Sequence, residues 1–140
     1  MSKIIGITGW KDVGKTHYAS LIIKSLVKKG YQVGSIKHAH HDFDIDKPGT
    51  DSFKHREAGS SQVIISSSKR WAKITENNNE NEKSLDELIQ EFHNIEIVVV
   101  EGFKKENHPK IEILTKGSNN RNKEIKNVIA IVSDDLKDTI

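Results

Sequence analysis

The stretch that decides the fold is Gly9-Trp10-Lys11-Asp12-Val13-Gly14-Lys15-Thr16. It matches the pattern G-x-x-x-x-G-K-[ST] at every fixed position, and such a loop surrounds a phosphate chain with backbone N–H groups. The pattern carries weight only where a strand precedes it and a helix follows, because the positive end of the helix dipole must point at the phosphates. In that context the stretch predicts a P-loop.

The residues on either side of the loop have the required periodicities. Lys3 to Thr8 is a short apolar run, typical of a strand buried on both faces. From Lys15, apolar residues recur at spacings of three and four as far as Gly30, which predicts a helix with one apolar stripe. Tyr31 to Ile36 has a second strand pattern. We therefore expect a strand, helix, strand unit whose two strands form a parallel pair with a right-handed crossover.

Strand and helix patterns alternate along the rest of the chain. Ser84 and Glu87 form a capping box before a short amphipathic run, and a short helix is expected over 52–58. Further strands are predicted at 62–66 and 71–75, as a hairpin, and at 95–100, 111–114 and 128–132. This alternation predicts an α/β fold with a mostly parallel sheet flanked by helices, and the length of 140 residues suits a single domain over 1–140.

Composition excludes several classes of function. The chain has 22 Lys and Arg against 20 Asp and Glu, a net charge of +2, so no basic field favours binding to nucleic acid or to a membrane surface. It contains no cysteine, which excludes disulfide scaffolds, thiolate zinc sites and cysteine nucleophiles. No apolar run approaches the length of a membrane span. We expect a cytoplasmic protein.

A P-loop site also needs a carboxylate at the end of a neighbouring strand, facing a metal ion. Glu101 ends the most apolar strand, at the edge where ligands bind in open α/β sheets. Lys15 would then neutralise the nucleotide phosphates, and the Thr16 hydroxyl would hold Mg²⁺ together with Glu101. Lys15, Thr16 and Glu101 are accordingly the candidate catalytic residues.

The segment from His38 to Gly49 contains three histidines and three aspartates, and three interpretations of it stay open. The histidines could bind zinc, although their spacing specifies no geometry. They could equally be ordinary polar loop residues. The favoured interpretation is an anion-binding switch loop, in which Lys37, His38 and Lys47 approach phosphates and Asp44 or Asp46 contacts Mg²⁺.

At this point the sequence resembles the MobB family of molybdopterin-guanine dinucleotide biosynthesis adaptor proteins, over nearly the whole chain. The resemblance is carried by the P-loop, by Ile36 to Ser52 (IKHAHHDFDIDKPGTDS), by Arg56-Glu57-Ala58-Gly59, by Arg70-Trp71-Ala72 and by Val100 to Lys104 (VEGFK). It implies a P-loop fold of the dethiobiotin-synthetase-like type, GTP binding with weak Mg²⁺-dependent hydrolysis, and a homodimer. It also implies partnership with the guanylyltransferase MobA, with molybdopterin as a further candidate ligand.

Carried over by position from this resemblance, Gly9 to Thr16 form the GTP-phosphate loop, Glu101 is the Walker B equivalent and His38 to Asp51 is the signature loop of the family. His17 stands where the family commonly has a second threonine, and Trp10 stands where related MinD-type ATPases have a signature lysine. From the residues themselves, Asp134, just past the last strand, is the candidate for contacting guanine, and an ordinary solvated aspartate at a strand end is the alternative that stays open. The metal set is Thr16, Asp46 and Glu101. The nucleotide set is Gly9, Trp10, Lys11, Asp12, Val13, Gly14, Lys15, Thr16, His17, His38 and Asp134.

The interpretation that follows is a GTP-binding adaptor that is at most a weak GTPase. A small-molecule kinase or ligase on the same fold is the alternative, with the histidine-rich loop holding the acceptor. A metallochaperone that uses the histidines is a third possibility, and it predicts stoichiometric metal in the purified protein.

Overall fold

A computed structural model describes residues 2–10, 13–39, 43–78, 81–114 and 121–133. Lys11, Asp12 and Asp134 of the predicted nucleotide set, and His40 and His41 of the predicted loop, lie outside the described residues.

Ten elements follow one another along these residues, and their bounds agree closely with the sequence patterns. They are β1 (Lys3–Gly9), α1 (Lys15–Lys28), β2 (Val33–Lys37), α2 (Asp51–Glu57), β3 (Gln62–Ser66), β4 (Trp71–Thr75), α3 (Leu85–Ile89), β5 (Ile97–Glu101), β6 (Lys110–Ile113) and β7 (Val128–Val132). The chain divides into two compact units, one made of Met1–Ala39 with Ser84–Ile140 and the other of His40–Lys83. The expectation of a single domain stays a prediction.

The first unit is built on a five-stranded sheet in the order β2-β5-β1-β6-β7, and all of its pairings are parallel. The expected direct pairing of β1 with β2 is wrong, because β5 lies between them. Val98, Val99 and Val100 of β5 are at most 1% exposed. A strand this apolar on both faces is most stable with a neighbour on each side, and the interior position provides two. Since all the strands are parallel, their carboxyl ends lie at one edge.

Each face of this sheet has its own apolar cluster. α1 covers one face because its apolar stripe presents Ala19 to the strands. Ser84 begins α3 by accepting a hydrogen bond from the Glu87 N–H, and the Glu87 carboxylate accepts one from the Ser84 N–H, which confirms the capping box. The buried residues of the α1 cluster are Ile7, Ala19, Val99 and Ile113, and those of the α3 cluster are Leu85, Val98 and Val100.

β6 carries two fully buried charged side chains, Lys110 and Glu112. The Lys110 ammonium donates to the carbonyl oxygens of Glu106, His108 and Lys126. The Glu112 carboxylate accepts from Arg121 Nε at 2.8 Å and from the Asn122 N–H at 3.0 Å. Because a buried charge is tolerated only when it is well hydrogen-bonded, these contacts tie the loops at 103–109 and 121–127 to the sheet.

The second unit contains the predicted hairpin. β3 and β4 pair antiparallel from Gln62 opposite Thr75 to Ser66 opposite Trp71, as the sequence predicts. α2 precedes the hairpin, and its Arg56 pairs with Asp44, Asp46 and Glu76. This arginine joins the segment before α2, the helix itself and the residue after β4.

Candidate functional site

The glycines of the P-loop meet two local demands at the end of β1. A Cβ atom on Gly9 would lie 2.6 Å from the Ile113 carbonyl oxygen and 2.9 Å from Val13 Cγ2, so only glycine fits there. Gly14 has φ of 93° in the left-handed region and is the N-cap of α1. Because glycine has no side chain, it leaves the first N–H groups of α1 available to an anion. The first turn of α1 contains no acidic residue, which also favours an anion.

Lys15 begins α1 and lies half-buried beside this loop. Its Nζ atom is 3.4 Å from the carbonyl oxygen of Gly9, so the side chain folds back over the loop. A lysine in this position supplies positive charge where the backbone N–H groups converge. The arrangement suits a polyphosphate.

Thr16 and Glu101 meet at the carboxyl edge of the sheet. The Thr16 hydroxyl donates to Glu101 Oε1 at 2.5 Å, and Lys37 Nζ lies 2.8 Å from Glu101 Oε2 and 3.4 Å from Thr16 Oγ1. Lys37 and Glu101 are register partners on β2 and β5. The sheet register and the first turn of α1 therefore bring a hydroxyl, a carboxylate and an ammonium group into contact.

Two opposing effects set the charge of Glu101. Its burial on its own would raise the pKa of the carboxyl group, but hydrogen bonds from Lys37 and Thr16, together with the charges of Lys37 and Lys15, outweigh burial. The pKa of Glu101 therefore lies below its usual value, and the group is a carboxylate at neutral pH. A carboxylate in this charge state attracts cations, and here it is paired with the Lys37 ammonium.

The donor set of this cluster suits Mg²⁺, which prefers carboxylate and hydroxyl oxygens and keeps several waters. The Lys37 ammonium already lies against Glu101 Oε2, which shows that the position accepts a cation. Among the described residues, no group of three or more His, Cys, Asp or Glu side chains could hold a metal ion. Any metal held by Thr16 and Glu101 would therefore complete its coordination with water or nucleotide oxygens.

His38 directly follows β2, and two contacts fix its place. Its N–H donates to the Glu101 carbonyl oxygen at 2.9 Å, and its ring stacks on Phe103 at 4.2 Å between centroids. Gly102 permits this close approach, because a Cβ there would lie 2.9 Å from His38 Cβ. The predicted contact of His38 with phosphate stays a prediction, and the sequence analysis does not anticipate its stacking on Phe103.

Asp46, the third predicted metal ligand, lies in the second unit. Its carboxylate accepts from Arg56 Nη2 at 2.5 Å and from Nε at 3.2 Å, and its side chain is 7% exposed. The hydrogen bonds from Arg56 lower the pKa of Asp46. A role for Asp46 at a metal stays a prediction.

The other described members of the nucleotide set have different surroundings. Trp10 is 44% exposed. Val13 packs against the α1 cluster, and the exposed His17 contacts the Tyr18 ring edge to face. Phosphate contact by these residues also stays a prediction.

Comparisons with known proteins show which family the chain belongs to. The family model described as "MobB: Molybdopterin guanine dinucleotide synthesis protein B" matches residues 4–134. The chain belongs to the MobB family. It is 38% identical over 139 residues to the molybdopterin-guanine dinucleotide biosynthesis adapter protein of Escherichia coli, covering 96% of this chain and 79% of that protein. It is 44% identical over 110 residues to the Haemophilus influenzae protein of the same name, covering 77% of this chain and 61% of that protein.

Solved structures of MobB family proteins share the fold. The crystal structure of Bacillus subtilis MobB aligns with a TM-score of 0.70 at 24% identity, covering 92% of this chain and 78% of that one. A MobB homolog from Bacillus stearothermophilus aligns with a TM-score of 0.59 at 21% identity, covering 78% and 61%. These matches confirm the predicted P-loop α/β fold.

The described part of the chain contains no helix with the length and apolar character to cross a bilayer.

The sequence analysis expects Lys37 to approach phosphates and misses its ion pair with Glu101. The available signal was that Lys37 ends β2 and Glu101 ends β5. It becomes informative only once those two strands are known to be neighbours.

Proposed function

We propose that this protein binds GTP with Mg²⁺ at the P-loop and acts as an adaptor in molybdopterin guanine dinucleotide synthesis, assisting a MobA-type guanylyltransferase. The observation that carries the proposal is the contact of Thr16 with Glu101 beside a loop in which glycine is required at Gly9 and Gly14. Membership of the MobB family supports the pathway.

Each residue of the site has a separate task in this proposal. The N–H groups at the start of α1 and the Lys15 ammonium bind and orient the phosphates. Thr16 and Glu101 hold Mg²⁺, which when bound neutralises phosphate charge. The Asp134 carboxylate accepts hydrogen bonds from the N1–H and the exocyclic amino group of guanine, two donors that adenine lacks at these positions.

Hydrolysis of GTP by the protein alone is expected to be slow. Within the described residues, the carboxylate beside the P-loop is that of Glu101, and it already accepts hydrogen bonds from Thr16 and Lys37. A carboxylate so held, with a lowered pKa, is a poor base for taking a proton from water. The site then contributes positioning and electrostatic stabilisation only, which suits an adaptor better than an efficient hydrolase.

We further propose that the protein acts in the cytoplasm as a homodimer and that molybdopterin approaches it in the complex with the guanylyltransferase. The names of the E. coli and Haemophilus relatives, both adapter proteins, support the existence of a partner.

A pull-down with the guanylyltransferase, with and without GTP, tests this proposal when it is followed by an assay of dinucleotide formation. We expect binding, and more dinucleotide when the protein is added. ATP in place of GTP serves as the matched nucleotide control. Absence of binding, or binding with no change in product, would contradict the adaptor role. Rapid nucleotide consumption with a small-molecule acceptor would instead support a kinase or ligase.

A further inference from the structure

We propose that Lys37 is a built-in substitute for the metal ion. Its ammonium group occupies the position between Glu101 and Thr16 that a divalent cation would take, so Lys37 and the cation compete for the same oxygen atoms. This inference rests on the proposed function, because it takes Thr16 and Glu101 as the metal ligands.

The fold itself delivers Lys37 to this position. β2 and β5 are parallel neighbours, and Lys37 lies opposite Glu101 in the register at the carboxyl edge of the sheet. Thr16, in the first turn of α1, reaches the same carboxylate from the helix. The Lys37 ammonium is 2.8 Å from Glu101 Oε2 and 3.4 Å from Thr16 Oγ1, so it contacts both proposed metal ligands.

Burial explains why Glu101 needs a cation even without a metal. The Glu101 side chain is only 10% exposed, and a carboxylate with so little solvent around it is costly unless it is paired. Lys15 lies near enough to influence Glu101, but its ammonium lies against the Gly9 carbonyl oxygen. Among the described residues, Lys37 therefore provides the direct ion pair with Glu101.

The exposure of Lys37 makes the pairing reversible. Its side chain is 64% exposed, so it can turn into solvent without opening the core of the protein. The ammonium of an exposed lysine gives up little when it turns into water, and the incoming cation takes its place as the partner of the buried carboxylate. A divalent cation can therefore displace this ammonium, whereas a buried, fully hydrogen-bonded lysine such as Lys110 could not be displaced so cheaply.

Two consequences follow for the nucleotide-free protein. Thr16 and Glu101 stay in contact, so the metal ligands remain assembled before any ligand arrives. Competition from Lys37 also weakens binding of a divalent cation on its own. The protein is thereby biased toward taking up the cation together with the negatively charged nucleotide, which favours release of the lysine toward the phosphates.

Manganese binding to the nucleotide-free protein, measured by electron paramagnetic resonance, tests the competition directly. Lys37→Met removes the charge and keeps the length of the side chain, and we expect it to tighten Mn²⁺ binding about threefold to tenfold. Lys37→Arg keeps the charge, and we expect its affinity to stay within about twofold of the unmodified protein. Glu101→Gln should abolish Mn²⁺ binding whether position 37 is Lys or Met. Circular dichroism establishes that each variant is folded.

Equal or weaker Mn²⁺ binding in Lys37→Met would overturn the proposal. So would a lack of binding by all of the proteins, because a position that stays empty after the ammonium is removed is no cation site. Titration of GTP into the same samples keeps this outcome separate from the proposed function. Failure to bind GTP would refute the nucleotide role and leave the Mn²⁺ comparison interpretable.

Discussion

His108 gives the protein a pH dependence of stability that one substitution should remove. The residue is 9% exposed, and within the described part of the chain neither of its ring nitrogens has a hydrogen-bond partner. Its ring packs so closely on β1 that a Cβ atom at Gly6 would lie 2.6 Å from Nε2. Burial, together with the charge of Lys110, lowers the pKa of His108 from 6.5 to about 4.

The direction in which stability changes with pH follows from whether the folded or the unfolded chain binds the proton. Between pH 6.5 and pH 4 the unfolded chain takes up a proton at His108 that the folded protein does not, so stability is present above 6.5 and is lost as the pH falls. The slope approaches about 1.4 kcal/mol per pH unit in this window, which gives about 2 kcal/mol at pH 5. Allowing for screening by solvent near the ring, we expect a loss of about 1–2 kcal/mol between pH 7.5 and pH 5.

Urea unfolding at the two pH values measures this loss. In His108→Leu the contribution should disappear, and the variant should be no less stable at pH 7.5, because two buried nitrogens without partners are removed. The matched control is His93→Leu, which alters an exposed histidine and should keep the wild-type pH dependence. If His108→Leu kept the wild-type pH dependence, His108 would not be the source of the loss of stability at low pH.

Three further substitutions probe the site, the cap and the second unit. In Glu101→Gln, the gain in nucleotide affinity on adding Mg²⁺, measured by calorimetry, should fall at least about tenfold. The unfolding free energy should change by less than about 1 kcal/mol, since the partner Lys37 is exposed. A large loss of stability with an unchanged effect of Mg²⁺ would contradict the metal-binding role. Ser84→Ala should lower the free energy of unfolding, measured with urea, by about 1 kcal/mol, and Ser84→Asp should keep the wild-type value because aspartate also caps helices. Equal stabilities of the Ala and Asp variants would contradict the capping role of Ser84. Arg56→Lys should speed the exchange of backbone amide hydrogens over 43–47, because lysine cannot reproduce the guanidinium hydrogen bonds to three carboxylates. Unchanged exchange rates would show that Arg56 does not hold this segment.

The sequence predicted those features whose cause is local. The turn at Gly14, the cap at Ser84 and the strand patterns depend on neighbours within a few residues, so the motifs and periodicities found them. The close contact of Gly9 with the Ile113 carbonyl oxygen comes from a distant strand, and the motif indicated only that glycine is needed there. The strand pattern at 111–114 does not indicate that Lys110 and Glu112 are fully buried. Their burial depends on hydrogen-bonding partners supplied by two loops, which no local pattern reveals.

The candidate site shows the same division. Thr16 and Glu101 were predicted together, because a P-loop requires a carboxylate at a strand end. The ion pair of Lys37 with Glu101 depends on the insertion of β5 between β1 and β2, and that choice of neighbours is a property of the whole sheet. The sequence therefore predicts that Thr16 and Glu101 lie together, but not that Lys37 contacts both of them.

Calorimetric titration of GTP with Mg²⁺ into the protein and into Lys15→Ala tests the central claim, that the loop after β1 binds the nucleotide phosphates. We expect saturable binding of one nucleotide per chain, lost or weakened by at least about a hundredfold in the variant, with equal thermal stability of the two proteins without ligand. Equal affinities in both proteins would contradict it.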